Sequence, residues 1–237
     1  MSLKPKATPD YILLPGDPQV PVWLRRSAQA RRLSLRVSAL DGRVTLSVPK
    51  SLKRGAAEKF LVEKADWVRG HLATHPAEHR LALGGVVPVE GRDVPIRAGP
   101  GQRAALRDDG VYINAGLPVP PQVAAVLKAR ARGRLAAACD GHAGQVGCAY
   151  SVLSLRDTRS RWGSCSSAGR LMFSWRLIMA PPEILDYVAA HEVAHLIEMN
   201  HSAAFWAVVG QLCPDYARRR RWLRDHGARL HAVRFSA

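Results

Sequence analysis

Hydrophobic positions in the first third of the chain recur at every second residue. Leu33, Leu35 and Val37 alternate with Arg32, Ser34, Arg36 and Ser38, and Val44, Leu46 and Val48 alternate beyond an Asp41-Gly42 pair. Period two on both sides of Asp-Gly predicts a β-hairpin with one buried face. Val20, Val22 and Leu24 predict a preceding strand, and the proline-rich residues 1–19 an extended lead-in. From Ser51 the period lengthens. Ala57, Leu61, Ala65, Val68 and Leu72 share one side of a helix reaching about Thr74, flanked by Phe60 and Trp67, and that stripe is suited to cover the small sheet. Short β-like pieces follow: Val86 to Val89 and Val94 to Arg97 around Glu90-Gly91, then Leu106 and Val111 to Ile113 around Asp109-Gly110. Pro88 and Pro95 predict edge strands for the first pair.

The run Pro118-Val119-Pro120-Pro121 marks the expected boundary between two domains. Beyond it Val123, Val126, Leu127, Ala131 and Leu135 predict a helix that fades between Gly141 and Gly147. Val152 to Leu155 predicts a strand, and Leu171, Phe173, Trp175 and Leu177, alternating with Met172, Ser174 and Arg176, another. Pro181-Pro182-Glu183 begins a helix in the ordinary way, with proline in the first turn and a carboxylate at the positive end, and Ile184, Leu185 and Val188 carry its buried stripe. Two short helices, Ala203 to Leu212 and Pro214 to His226, complete the chain. The expected fold class is α+β. Residues 20–118 form an N-terminal, antiparallel β-rich domain with a covering helix, and residues 119–237 a C-terminal domain built on the helix after Pro182.

That helix carries the chemistry. His191-Glu192-Val193-Ala194-His195 sets two imidazoles one turn apart on one face, with a carboxylate beside them. A catalytic zinc takes three protein ligands and keeps one position open for water, so a third ligand is needed, and His201 can supply it if the helix ends before it. Asn200 suits a left-handed C-terminal conformation, and Ser202 suits the cap of the next helix. Zn2+ held by His191, His195 and His201 acidifies its water, and Glu192 is placed to take the proton as that water attacks a carbonyl or phosphoryl centre. Each ligand should give its other ring proton to an acceptor, for which Glu198, Asp186 and backbone carbonyls are candidates.

Charge widens the choice of substrate. The formal net charge is +16 and the pI about 10.7, a field that attracts nucleic acid, nucleotides or an anionic membrane surface unless arginine is simply the ordinary surface residue here. The four cysteines contain no C-x-x-C pair, and no stretch is apolar for long enough to be a signal peptide or a membrane span. The expectation is a cytoplasmic protein that does not enter the membrane.

Arg159 to Ser167 precedes the strand that leads into the metal helix. It reads either as a loop whose arginines and backbone N–H groups hold an anionic or carbonyl oxygen, or as a tight connection with Trp162 in the core and Gly163 for the bend. Arg161, Ser164 and Arg176 are the candidate substrate-binding residues. Cys165 reads as a bystander thiol, Phe205 and Trp206 as packing, and Arg218 to Arg221 as a solvated helix surface, because consecutive residues point around the whole circumference.

Taken together, Arg161-Trp162-Gly163-Ser164-Cys165, the segment Phe173 to Ile178, Tyr187-Val188, the two-histidine helix, Asn200-His201-Ser202, Phe205-Trp206 and Trp222-Leu223 resemble the YgjP-like family. Arg25-Arg26-Ser27 and Arg31-Arg32-Leu33 extend the likeness toward the N-terminus. In its metal helix that family is similar to the SprT and WLM groups of zincin metallopeptidases. The resemblance implies a zincin-like catalytic domain and a zinc-dependent hydrolase with His191, His195 and His201 as ligands and Glu192 as catalytic glutamate. The histidine spacing also equals that of metzincins, but Glu198 stands where that group has glycine. Three functions stay open. The first is a metallopeptidase acting on a peptide or protein, with the strand from Leu171 to Ile178 offering an edge for an extended substrate. The second is a nucleotide phosphohydrolase of pyrophosphatase type using the same site. The third is a nucleic-acid-associated protein with a non-catalytic metal, which the intact Glu192 argues against.

Overall fold

A computed structural model describes residues 10–38, 42–74, 76–101 and 103–235. The period-two segments form strands: β1 (Tyr11–Leu14), β2 (Val20–Ser27), β3 (Ser34–Val37) and β4 (Val44–Pro49), in the order β1-β2-β4-β3. β3 and β4 pair antiparallel as expected, whereas β2 runs parallel to β4. Asp41 of the connecting turn lies outside the described residues, and Gly42 there has φ +66°. The expected lead-in contains β1, which pairs antiparallel with β2, while its first residues, 1–9, lie outside the described ones. Instead of one covering helix there are two, α1 (Arg54–Glu63) and α2 (Ala65–Ala73), broken at Lys64. Leu61 and Val68 are two turns apart and both buried, so the apolar stripe continues across the break. Ile12, Leu14, Val22, Val44, Leu46 and Val48 meet Ala57, Leu61 and Val68 in a core of their own.

Residues 77–237 form the second compact unit. The division thus falls at Pro76, ahead of the expected boundary at Pro118, because the β-like pieces after Pro76 pack into the later core. β5 (His79–Arg80) is followed by β6 (Val86–Val89), β7 (Arg92–Ala98), β8 (Ala105–Arg107) and β9 (Gly110–Ile113), the last four in the order β6-β7-β9-β8. β7 is interior, not an edge: it pairs with β6 through Arg92–Pro95 and with β9 through Ile96–Ala98. Pro95 is tolerated because it lies where the second ladder has not begun. α3 (Val119–Gln145) buries Val123, Leu127, Ala131, Leu135 and Cys139 along one stripe.

The remaining elements frame the site. β10 (Val152–Arg156), β11 (Gly163–Cys165) and β12 (Arg170–Ser174) make a sheet in the order β10-β12-β11. β12 pairs on both sides, so it offers no free edge; the outer strands are β10 and β11, the latter in a segment expected to be loop. The long strand expected to reach Ile178 stops at Ser174, and Trp175–Met179 is a 3₁₀ turn whose residues are all buried. Burial on every side removes the alternation that separates a strand from a tight helix. α4 (Pro182–Ala194), α5 (Ala203–Leu212) and α6 (Tyr216–Ala232) follow, and β13 (Val233–Arg234) pairs parallel with β5. α4 starts with proline in its first turn, as its sequence predicts. None of the described helices is long and apolar enough to cross a membrane.

Candidate metal centre

α4 is buried over most of its surface, with Ile184, Val188, Ala189 and Val193 in the core, and its last turn delivers His191 and His195. The helix then stops. Leu196 and Ile197 donate to the carbonyls of Val193 and Ala194 in a closing turn, and the chain reverses to bring His201 back. Asn200 does not take the expected left-handed conformation, since Glu90 is the non-glycine residue with positive φ among the described ones. Its side chain instead accepts from the Ser202 N–H at 3.0 Å. Ser202 caps α5 as anticipated, accepting from the Phe205 N–H at 3.3 Å.

One ring nitrogen from each of His191, His195 and His201 lies within 4.8 Å of the others. The Nε2 atoms of His191 and His201 are 3.1 Å apart, close to the roughly 3.3 Å separating two nitrogens on one tetrahedral zinc-sized ion. Burial and the neighbouring imidazoles push His191 down to about 3. Burial also lowers His195, against the opposing hydrogen bond from its ring to the Glu198 carbonyl. Both are therefore neutral at physiological pH, the form that binds metal. His195 Nδ1 sits 2.9 Å from that carbonyl, which leaves Nε2 for the ion. Of the acceptors considered, Glu198 thus serves through its backbone. Asp186 is engaged elsewhere, at 2.9 Å from both His142 Nε2 and Arg219 Nη1, and His191 Nδ1 is buried without a partner among the described residues. The donor set fits a metal ion.

Phe205, fully buried, forms the wall behind the three rings. It stacks on His195 at 4.4 Å and meets His191 and His201 edge-on at 4.9 and 4.8 Å. Read from sequence as packing alone, it also braces the planes of the three imidazoles, and its spacing from His201 is the signal that could have found it. Glu192 is 5% exposed, and burial raises its carboxyl to about 8 despite the positive charge of Arg161. Gly163 of β11 lies directly against it: a Cβ there would meet Glu192 Cγ at 2.6 Å.

The three candidate substrate-binding residues separate. Arg161 is exposed and near enough to Glu192 to act on its charge, and Ser164 lies on β11, half-buried. Arg176 is 8% exposed and turned away into structure: its guanidinium bonds Asp157 at 2.6 Å and the carbonyls of Leu230 and Val233 at 2.9 Å. It ties the 3₁₀ turn to the end of α6, so it is a structural arginine, which consecutive polar–apolar alternation could not distinguish from a solvent-facing one. Cys165 bonds the Ser166 carbonyl at 3.4 Å, consistent with a bystander. A cleft of about 580 Å³ opens beside His195, lined by Cys148, Tyr150, Ser151, Gly169, Leu196 and Met199.

A family model described as YgjP-like, metallopeptidase domain, matches residues 31–226. No curated protein matches. Among solved structures the chain is similar to the crystal structure of the metallopeptidase zymogen of Pyrococcus abyssi abylysin, at 21% identity over 38% of this chain and 91% of that chain, with a TM-score of 0.35. The family match takes in α4, His201 and most of both compact units, and on that extent the chain belongs to the YgjP-like metallopeptidase-domain family.

Proposed function

We propose that this protein is a zinc-dependent metallopeptidase that hydrolyses peptide bonds with Glu192 as general base. The observation that carries the reading is the convergence of three histidine nitrogens at the end of the helix that also carries the buried carboxylate of Glu192. His191, His195 and His201 would hold the ion, which when bound supplies a Lewis acid and an acidified water. Imidazole nitrogens suit zinc, and the 3.1 Å between His191 and His201 Nε2 is about the separation of two nitrogens on one tetrahedral ion. Glu192 takes the proton of the attacking water and returns it to the departing amine. A carboxyl whose affinity for a proton lies near neutrality can do both, and a nearby cation would draw that affinity down into the working range.

Substrate orientation falls to β11. Its ladder with β12 occupies one edge, and an extended peptide can pair with the other, past Glu192. Arg161 at the head of that strand can hold a substrate carbonyl or carboxylate. The cleft at Leu196 and Met199 offers apolar surface for a side chain, Met199 being 52% exposed. Neither the cleft nor the family match adds support for a nucleotide at this site.

The test compares wild type, Glu192→Gln and His201→Ala on a peptide library and on nucleoside triphosphates, with metal content measured in parallel. Glu192→Gln should keep its metal and lose about 10²- to 10⁴-fold in peptide hydrolysis. His201→Ala should lose metal and recover partly on adding zinc. Full activity of Glu192→Gln would remove the carboxylate as base, and hydrolysis confined to triphosphates would replace the peptidase by a phosphohydrolase.

A further inference from the structure

The sheet of the first unit has a second face that its core does not use. Tyr11 lies opposite Trp23, Trp23 opposite Thr45 and Thr45 opposite Arg36. Directly paired residues point to the same side, so these four form one row across all four strands. The adjoining row is Arg25, Ser47 and Ser34. The opposite side holds Ile12, Val22, Val44 and Leu46 and is packed against α1 and α2. A sheet covered on one side ordinarily turns polar residues to water on the other. Here Tyr11 and Leu13 are 42% and 48% exposed, and the rings of Tyr11 and Trp23 are 5.7 Å apart. The Arg43 guanidinium lies over Trp23 at 4.3 Å, and Arg25 and Arg36 are exposed on the same face. Trp23 is half-buried and its ring is covered by that guanidinium; Thr45, Ser47 and Ser34 between the rows are too short to cover either ring.

Charge narrows the occupant. Residues 1–76 contain 14 Lys and Arg against 6 Asp and Glu, a net +8, which is half of the chain's +16 in a third of its length. A second copy of this face would set arginines against arginines. Flat unsaturated rings beside guanidinium groups match a polyanion that also exposes flat rings. We propose that this face binds single-stranded nucleic acid, with one base stacked on Tyr11, a second taking the place of the Arg43 guanidinium on Trp23, and phosphates held by Arg25, Arg36 and the displaced Arg43. A four-stranded sheet with aromatic residues on an open face accommodates about two or three bases this way. A duplex buries its base faces in its own stack and has nothing to offer the rings. This assignment does not depend on the metal centre.

The experiment is fluorescence anisotropy of the full-length protein with labelled single-stranded oligodeoxynucleotide and oligoribonucleotide, the matching duplex, and polyglutamate. Single strands of either sugar should bind, weakening as salt rises, while intrinsic tryptophan emission is quenched. Trp23→Ala and Tyr11→Ala should each lower affinity about 5- to 100-fold, from the stacking lost per base. Trp23→Phe should restore most of the affinity but not the quenching. Arg221→Ala with Arg224→Ala, on exposed positions of α6, should change it little. Unchanged circular dichroism and an unchanged urea unfolding curve report that each variant is folded. Binding indifferent to Trp23→Ala and Tyr11→Ala, a duplex bound as well as a single strand, or equal capture of polyglutamate would each overturn the proposal, the last in favour of a general anionic partner.

Discussion

Gly163 is glycine for want of room. Its φ is not in the left-handed region, yet a methyl group there would come within 2.6 and 2.7 Å of Glu192 Cγ and Cδ. The backbone of β11 therefore lies flush with the side chain proposed as the base, and no larger residue leaves that carboxylate in place. Gly163→Ala should keep the fold and metal while lowering kcat about 10²-fold, the scale of a catalytic group displaced by an ångström. Metal analysis and steady-state kinetics on one preparation check it, and an unaltered kcat would mean that the carboxylate position is not critical. From sequence, the glycine reads as a bend residue because proximity to a side chain 29 positions later leaves no local trace. The histidines were legible for the opposite reason. Their spacing is itself the geometry: one helical turn, then a reversal.

Elements that bury one face were legible, and those that bury every face were not. Val44, Leu46 and Val48 alternate strictly and are 1%, 0% and 1% exposed, so β4 was found. Trp175 to Met179 are buried throughout, and their backbone is a 3₁₀ turn that periodicity could not reveal. Pairing was also hidden. The alternation of β2 says which residues face inward, not that the strand lies parallel to β4 with β3 on the far side. Between helices, Asp186 of α4 joins His142 of α3 and Arg219 of α6. The hydrogen bond with His142 leads in holding this carboxyl below its ordinary value, with Arg219 assisting against partial burial. A carboxyl depressed in the fold stabilises it fully above the ordinary value, near 3.8, and ceases to do so as pH falls through the lower folded value. Asp186→Asn should therefore lower the urea midpoint at pH 7, and its deficit against wild type should shrink below about pH 4. A deficit that stays constant down to pH 2 would show that the charge is not what links these helices.

At the scale of the whole chain, the family match crosses the division at Pro76, from residue 31 to 226. The two units nonetheless have separate cores. Residues 76–78 belong to no helix or strand, with Ala77 and Glu78 exposed. Brief treatment with a protease of broad specificity should cut between Ala73 and Glu78 before it cuts elsewhere. The larger fragment should retain the metal, as mass spectrometry and metal analysis would record. First cleavage inside residues 80–235 would count against two independently cored units. The boundary expected at Pro118 was misplaced because proline-rich punctuation marks where an element stops, not whether the pieces on either side share a core.

The short ladder of β5 and β13 sets Val233 beside His79 and Arg234 beside Arg80, with Arg234 also paired to Glu78. The entry and exit of the second unit are therefore neighbours, and its backbone describes a nearly closed circuit. A circuit of that kind can be reopened elsewhere. A few residues joining the present ends, with new ones cut at the exposed Ser166-Ser167-Ala168 turn, would reorder this unit's elements along the chain and keep them together in space. In such a rearranged protein β11 would come last and α4 near the start, so the order of synthesis of Gly163 and the three histidines would be reversed.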